Sequence, residues 1–223
     1  MNISKTELAK MIDSTNVKAT ATKADIEKLC KEAIKHGFRC VAVNAVYVKL
    51  AAEILKGSNV RVCSTVGFPF GCSLPEVKAF EAVKAVEEGA QELDMVMNLG
   101  ALKSGDYETV KQDIAAVADV KRLSKEILLK VIIETPLLTT DEKIVACRLV
   151  KEAGADFVKT STGFFGKGAT VEDIKLMRET VGKNFGVKAA GGIRTYVDAL
   201  RMIEAGADRI GTSTAAAIVK EVP

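Results

Sequence analysis

One local pattern recurs along the sequence and constrains the fold more than any other feature. A helical segment ends, a glycine and a small residue follow, and a run of β-forming residues begins. Three close copies read "EEGAQELDMVMN", "EAGADFVKTST" and "EAGADRIGTST", and "KHGFRCVAVN" is a looser fourth. Glycine suits the left-handed residue that closes a helix, so each copy predicts a junction from helix to strand. The glycines concerned are Gly37, Gly89, Gly154 and Gly206.

Eight short apolar segments are predicted to be strands, and amphipathic helix patterns such as "ADIEKLCKEAIK" and "VEDIKLMRETV" separate them. Strict alternation of strand and helix predicts a parallel sheet. Eight units of roughly 28 residues each favour a closed (β/α)8 barrel, the TIM-barrel architecture of the α/β class. The predicted strands lie around Met11–Ser14, Cys40–Asn44, Val62–Gly67, Glu92–Asn98, Leu128–Glu134, Asp156–Ser161, Val187–Ala190 and Arg209–Gly211.

An open doubly wound sheet is the alternative architecture. Such a sheet usually carries a glycine-rich fingerprint after its first strand, and the GxGxxG pattern does not occur in this sequence. No linker, low-complexity tract or second domain is evident, so we expect residues 1–223 to form a single barrel domain.

Composition excludes several classes of function. The formal net charge of +3 is spread along the chain without a basic block, so we expect no nucleic-acid partner. A single histidine, His36, rules out a His-rich metal site. The cysteine count is odd, no CxxC pair occurs, and neither a signal peptide nor an apolar run of about 18 residues is present, which predicts a cytoplasmic protein with reduced thiols and no membrane contact.

Charged residues inside the predicted strands are the candidates for chemistry. Asp94 lies in "ELDMVMN", Lys130 in "LLKVIIET", Lys159 in "DFVKTST" and Lys188 in "GVKAAGG". Burying an unpaired ammonium is costly, and a lowered pKa relieves the cost by removing the charge. A neutral lysine is a nucleophile, and a second ammonium nearby lowers its pKa further. Imine chemistry therefore suits this set, although satisfied structural pairs of lysine and carboxylate remain an open alternative.

Glycine-rich segments follow the last three predicted strands. Gly163 ends "KTSTG", Gly191 and Gly192 lie in "AAGGIRT", and Gly211 begins "GTSTAAA". Small residues let backbone N–H groups approach an anion, and a helix beginning at Ser213 or Thr214 would add its dipole. The last loops of a barrel are a frequent phosphate site, so we expect phosphate here, with tight turns as the alternative explanation of the glycines.

These segments, together with "MIDST", "STVGFPFG" and "GALKSGD", resemble one family over nearly the whole chain: the deoxyribose-phosphate aldolases. The resemblance implies a class I aldolase on a (β/α)8 barrel that reversibly cleaves 2-deoxy-D-ribose 5-phosphate to acetaldehyde and D-glyceraldehyde 3-phosphate. It implies that Lys159 forms the Schiff base, that Lys188 lowers the pKa of Lys159, and that Asp94 relays protons through water. The implied place of this reaction is deoxyribonucleotide catabolism.

The resemblance also implies substrate contacts, partners and one difference. Substrate contacts carry over to Asp13, Thr15, Lys130, Gly163, Gly191, Gly192, Gly211, Ser213 and Thr214. The implied partners are a sugar phosphate and aldehydes, without cofactor or metal, in a homo-oligomer of two or four subunits. Many members continue into a tail that ends in tyrosine, whereas the printed sequence ends in "IVKEVP". We expect either slower turnover or a water in the place of that tyrosine.

Two competing functions are compatible with the same residues. Another class I aldolase, or a transaldolase, would keep the barrel and the imine lysine but act on a different sugar phosphate. A barrel that only binds a phosphorylated ligand is the non-enzymatic alternative, and it would not need a neutral buried lysine.

Overall fold

In a computed structural model, which describes residues 3–223, the strands form a closed parallel barrel in the order β1-β2-β3-β4-β5-β6-β7-β8. This confirms the predicted (β/α)8 fold, and all eight predicted strands occur within a few residues of their expected bounds. The strands are β1 (Ile12–Asn16), β2 (Cys40–Val43), β3 (Arg61–Val66), β4 (Glu92–Val96), β5 (Leu128–Ile132), β6 (Phe157–Lys159), β7 (Gly186–Ala190) and β8 (Arg209–Thr212).

Ten α-helices surround the barrel in the described part of the chain. Those not anticipated from the sequence patterns are mostly short, because a helix of one or two turns leaves little periodicity to detect. The helices are α1 (Lys5–Ala9), α2 (Lys23–His36), α3 (Val48–Leu55), α4 (Pro75–Glu87), α5 (Leu99–Lys103), α6 (Tyr107–Ala118), α7 (Thr140–Glu152), α8 (Val171–Val181), α9 (Tyr196–Glu204) and α10 (Ala215–Lys220).

Local signals explain where the helices begin and end. Thr22, Thr139 and Thr195 each accept a hydrogen bond from the backbone three residues later, and the acidic residue there bonds back, forming capping boxes. The four junction glycines all have positive φ, which confirms the left-handed conformation predicted for them. Each helix is thereby stopped just before the next strand, which produces the regular alternation.

Two separate regions of the interior are buried. The main apolar core lies between the helices and the outer face of the barrel. Inside the barrel, Cys40, Ala42 and Cys63 form a small apolar cluster beside a group of buried charges. The strands therefore pack the main apolar core outside the barrel and hold a group of ionisable residues inside it, where a site can form.

Two further sequence expectations concern cysteines and membranes. All five cysteines are free thiols, four of them buried, whereas Cys72 is exposed. Over residues 3–223, no helix combines the length and the apolar character that a membrane crossing requires.

Candidate active site

A cavity of about 470 Å³ opens at the carboxyl ends of the strands, where barrel enzymes carry their active sites. Loops that follow β1, β3, β6, β7 and β8 contribute to its wall. Of the residues predicted for the site, the wall includes Thr15, Asp94, Lys159, Gly163, Gly191, Gly192, Gly211 and Ser213.

Asp94 is the centre of the charged cluster at the floor of this cavity. Its Oδ2 atom lies 2.7 Å from Nζ of Lys159 and 2.7 Å from Nζ of Lys188. Its Oδ1 atom lies 3.0 Å from Nζ of Lys130. Strand register explains the meeting, because Lys159 pairs with Lys188 across β6 and β7 while Asp94 pairs with Lys130 across β4 and β5. The single carboxylate of Asp94 thus contacts the terminal nitrogens of three lysines.

The two lysines on Asp94 Oδ2 have opposite pKa shifts. Burial lowers the pKa of Lys159; the carboxylate of Asp94 opposes this effect, and the ammonium of Lys188 adds to it. Burial would also lower the pKa of Lys188, but the carboxylates of Asp13 and Asp94 outweigh it and raise that pKa above its ordinary value. Lys188 therefore retains its proton, and Lys159 is the lysine that loses one more easily.

The three lysines also differ in their exposure to the cavity. Lys159 is 5% exposed and lines the cavity, whereas Lys130 and Lys188 are fully buried behind Asp94. The pKa of Asp94 lies well below its ordinary value: burial would raise it, but the three ammonium groups outweigh burial, led by Lys130. The floor of the cavity thus presents an ionised carboxylate and an amine with a lowered pKa.

Asp13 and Lys130, expected among the substrate contacts, lie beneath the cavity rather than in its wall. The Asp13 carboxylate is fully buried, 2.6 Å from Nζ of Lys188, and accepts hydrogen bonds from Arg209. Lys130 Nζ lies 2.7 Å from Glu92 Oε2 in addition to its contact with Asp94. Both residues therefore support the cluster from below.

Three buried ligand atoms, from Asp13, Cys40 and Glu92, lie within 4.8 Å of one another, the spacing of a metal site. The guanidinium of Arg209 already contacts both carboxylates of this group. Burial, with the carboxylate of Glu92 nearby, raises the pKa of the Cys40 thiol, so the thiolate that binds metals is disfavoured. This group is better described as an ionic cluster, with both carboxylates paired to Arg209, than as a metal centre.

Two glycine-rich loops meet backbone to backbone on one side of the cavity. Ala169 N–H donates to the carbonyl of Gly191 at 3.1 Å, and a Cβ placed on Gly168 would lie 2.4 Å from that carbonyl. Such an approach is open only to glycine. Gly163, Gly191 and Gly192 line the cavity at this junction, all with positive φ.

Gly211 and Ser213 complete this side of the cavity, whereas Thr214 does not line it. A Cβ on Gly211 would lie 3.2 Å from Cε of Lys188, so the absent side chain also makes room for that lysine. Thr214 is the residue before α10, and its hydroxyl lies 3.3 Å from the carbonyl of Arg194, to which it donates. Its hydroxyl is thus directed at the preceding loop.

Sequence reasoning gave no role to several residues around the site. Arg194 lines the cavity and follows Gly191 and Gly192 by two residues. Its basic side chain in the glycine-rich segment "GGIRT" is a sequence feature that could have identified it. Arg209 is buried in β8, and a charge inside a strand was the same signal that identified Lys159. Phe68 and Phe164 form an edge-to-face pair, with ring centroids 5.3 Å apart, in the wall of the cavity. No pattern in the sequence predicts that pair.

Glu134 follows β5 in a left-handed conformation, with φ of 52°, that only a few per cent of non-glycine residues adopt. Its carboxylate accepts a hydrogen bond from Thr162 N–H at 3.0 Å. Burial raises the pKa of Glu134. This contact holds the start of the glycine-rich loop that lines the cavity.

Several known proteins that are similar to this chain in sequence and in structure are aldolases. A family model for DeoC/LacD family aldolases matches residues 7–220. The chain is 62% identical to the deoxyribose-phosphate aldolase of Thermococcus gammatolerans, over 96% of each chain, and 59% identical to that of Thermococcus kodakarensis, over 99% of each. Among solved structures, a deoxyribose phosphate aldolase from Aeropyrum pernix, described as tetrameric, superposes with a TM-score of 0.91 at 36% identity, covering 97% of this chain and 91% of the other.

Proposed function

The chain belongs to the DeoC/LacD aldolase family, and on that premise we propose that it reversibly cleaves 2-deoxy-D-ribose 5-phosphate through an imine on Lys159. The products are acetaldehyde and D-glyceraldehyde 3-phosphate. The protein is an aldolase, a carbon–carbon lyase, and the high identity to named deoxyribose-phosphate aldolases supports this substrate. The imine and the assignment of roles rest on the geometry of the cavity floor.

One observation supports the proposed imine: two lysines contact the same carboxylate oxygen, but only one of them has a second carboxylate partner. Lys159 and Lys188 both lie 2.7 Å from Asp94 Oδ2, but Lys188 has Asp13 as a second carboxylate partner. Lys159 has only the shared one, and its pKa is lowered by burial and by the ammonium of Lys188. It is also the lysine of this cluster that lines the cavity. A nucleophilic amine is therefore available where a substrate aldehyde would enter.

The chemistry follows from the position of the imine carbon. Lys159 Nζ attacks C1 of the open-chain sugar, and loss of water leaves a protonated imine at C1. The C3 hydroxyl then loses its proton, C2–C3 breaks, and the electron pair of that bond moves into an enamine across C1 and C2. Glyceraldehyde 3-phosphate leaves, the enamine is protonated at C2, and hydrolysis releases acetaldehyde. We assign the proton transfers to Asp94, acting through an ordered water, because its carboxylate is ionised and lines the cavity.

We assign phosphate binding to the glycine-rich side of the cavity. Gly163, Gly191, Gly192, Gly211 and Ser213 lie there without bulky side chains, so backbone N–H groups can approach an anion. Arg194 and Lys18 also line the cavity and add positive charge to it. The phosphate would thereby hold the distal end of the sugar while C1 meets Lys159.

The proposal also covers the oligomeric state of the protein, its cellular compartment and the pathway in which it acts. The tetrameric relative from Aeropyrum pernix supports a homo-oligomer for this chain as well. Five free thiols, four of them buried, fit a reducing compartment such as the cytoplasm. Cleavage of a deoxyribose phosphate belongs in the breakdown of deoxyribonucleotides.

Borohydride trapping with 2-deoxyribose 5-phosphate, followed by peptide mass spectrometry, tests the proposed function. A reduced two-carbon adduct on Lys159, absent from Lys159→Leu, is the expected result. Lys78 is an internal control, since it is fully buried outside the cavity wall and should carry no adduct. A trapped intact sugar without the two-carbon adduct would mean imine formation without cleavage. Folded protein with no adduct at all would overturn the assignment of Lys159.

A further inference from the structure

Six buried side chains inside the barrel form a closed ring of alternating charge. Within this interior ring, each carboxylate contacts two of the three cations, and each cation contacts two of the three carboxylates. Lys130 bridges Asp94 and Glu92, at 3.0 and 2.7 Å, and Lys188 bridges Asp94 and Asp13, at 2.7 and 2.6 Å. Arg209 closes the ring by contacting both Asp13 and Glu92.

The interior ring is electrically balanced without Lys159. It contains three cations and three carboxylates: Lys130, Lys188 and Arg209 against Asp13, Glu92 and Asp94. Lys159 is attached to the ring at Asp94 alone, so a proton on Lys159 adds a fourth cation to a buried, neutral group. An uncompensated charge in such surroundings is costly, which favours the uncharged amine.

We propose that Arg209 and Glu92, at the far side of the ring from the cavity, are positioning residues that set the protonation of Lys159 by fixing the charge balance of the ring. This inference goes beyond the proposed imine chemistry and rests on it. Neither residue lines the cavity, so neither is expected to touch the substrate. Their effect on Lys159 is electrostatic. Asp13, Lys188, Lys130 and Asp94 are the ring members that link them to the amine.

The strand register places Arg209 close enough to act. Lys159 pairs with Lys188 across β6 and β7, and Lys188 pairs with Arg209 across β7 and β8. Three cationic residues therefore lie side by side on three successive strands. Neighbouring strands are about 4.8 Å apart, so the backbone of Arg209 lies on the order of 10 Å from the backbone of Lys159. At that separation and an effective dielectric constant of about 20, one unit charge changes a pKa by about one unit.

Other ionisable groups around Lys159 do not upset this balance. Arg61 contacts Glu92 at 3.8 Å, but its side chain is 25% exposed, so water screens its charge. Burial raises the pKa of Glu134, and the nearby ammonium of Lys159 opposes that effect. Among the described residues, Glu134 makes no ion pair with Lys159, and burial also raises the pKa of the Cys40 thiol. Cys63 donates a hydrogen bond from Sγ to Asp94 Oδ1 at 3.1 Å and accepts one from Lys130 Nζ at 3.6 Å. The ring is thus the dominant charged group around the amine.

Opposite substitutions in the ring give the sharpest test. Arg209→Met removes a positive charge, so the ammonium form of Lys159 becomes more favourable and the acid limb of kcat/KM moves to higher pH. Glu92→Gln removes a negative charge and moves the same limb to lower pH. The shift for Arg209→Met is expected to be about one pH unit, and the shift for Glu92→Gln has the opposite sign. The double variant restores the balance, and its limb returns toward the wild-type position even if its kcat remains low.

Arg209→Lys is the matched control, since it retains the charge and should leave the acid limb in place. A purely structural role would lower kcat in both single variants without moving the limb in opposite directions. Shifts of the same sign, no shifts, or a double variant that keeps the shift of one parent would each overturn the proposal. If Arg209→Met does not fold, Glu92→Gln, which is nearly isosteric, tests the sign by itself.

Borohydride trapping on the wild-type protein separates this inference from the proposed function. Absence of a Lys159 adduct in the wild type would reject the imine and, with it, the role of the ring. An adduct in the wild type, together with unshifted pH profiles in the variants, would reject the charge-balance proposal alone. The pH dependence of the trapping rate provides a second measure of the Lys159 protonation state for variants whose turnover is too slow to assay.

Discussion

Substitution of Gly168 by alanine should separate the two glycine-rich loops to which we assign phosphate binding. A Cβ at this position would lie 2.4 Å from the carbonyl carbon and oxygen of Gly191. Ordinary carbon contacts begin at about 3.4 Å, so the backbone must move by roughly 1 Å to accommodate the methyl group. Gly191 and Gly192 line the cavity, and their N–H groups would move with the loop.

The size of the effect follows from that displacement. A misplacement of about 1 Å in a positioning element can cost about 100-fold in rate. We therefore expect kcat/KM for 2-deoxyribose 5-phosphate to fall by roughly 10- to 100-fold, mostly through KM, because the lost interaction holds the phosphate throughout the reaction. Unphosphorylated 2-deoxyribose, which never uses the loops, should lose much less.

Gly57→Ala is the matched control for backbone strain. Gly57 has φ of +83°, close to the +81° of Gly168, but a Cβ there would meet nothing within 4 Å. Both substitutions carry the cost of a side chain at positive φ, whereas Gly168→Ala adds the collision. A coupled assay of glyceraldehyde 3-phosphate release, run with both variants, measures the difference.

Two results would refute this reasoning. An equal loss of activity toward the phosphorylated and the unphosphorylated sugar would show that the collision damages the whole site instead of the phosphate side. Unchanged kinetics in a folded Gly168→Ala variant would show that the loops either accommodate the methyl group or do not bind phosphate.

Three further perturbations test the charged groups. Asp94→Asn should reduce turnover by about 100-fold or more while borohydride still traps an imine, because proton relay is lost but the amine remains; loss of trapping in the folded variant would contradict this. Lys188→Met removes the ammonium beside Lys159, so the pKa of Lys159 rises and the acid limb of kcat/KM should move about one unit to higher pH. Lys78→Met leaves Asp113 buried without its partner at 2.7 Å and should lower the free energy of unfolding by about 3–5 kcal/mol, measured in urea. Lys78→Met combined with Asp113→Leu should recover most of that loss, and an unrecovered loss would point to packing instead of charge.

The fold could be predicted because its signals are local and repeated. Each of the four glycine junctions marks the end of a helix and the start of a strand within about ten residues, and eight short apolar segments mark the strands. The short helices α1 and α5, with 5 residues each, lacked a periodic pattern long enough to detect. Local signals thus specify the alternation, and closure follows from the number of units.

The site could be predicted only in part, because the contacts depend on strand register. A charge inside an apolar strand identified Lys159, Lys188 and Asp94 as unusual, but nothing in the spacing says which residues lie side by side across β6, β7 and β8. The positions of Asp13 and Lys130 beneath the cavity follow from that register. The alternation of charges around the interior ring is therefore visible in three dimensions alone.

A lowered lysine pKa does not by itself identify a nucleophile in this protein. The two lysines with two carboxylate partners each, Lys130 and Lys188, have raised pKa values despite complete burial. Lys78 and Lys159, with one carboxylate partner each, have lowered pKa values. Burial lowers the pKa in all four, and the pKa is raised only for the two lysines that are in direct contact with two carboxylates.

Lys78 and Lys159 then differ in what surrounds the amine. Lys78 is fully buried, with its Nζ donating to the carbonyl of Val96 and to Asp113, a partner that no other cation in the described residues shares. Lys159 lines the cavity, and the single carboxylate it contacts is committed to Lys188 and Lys130 as well. The amine that we propose as the nucleophile therefore meets two conditions together: it can be reached from the cavity, and the one carboxylate that it contacts is shared with two other lysines.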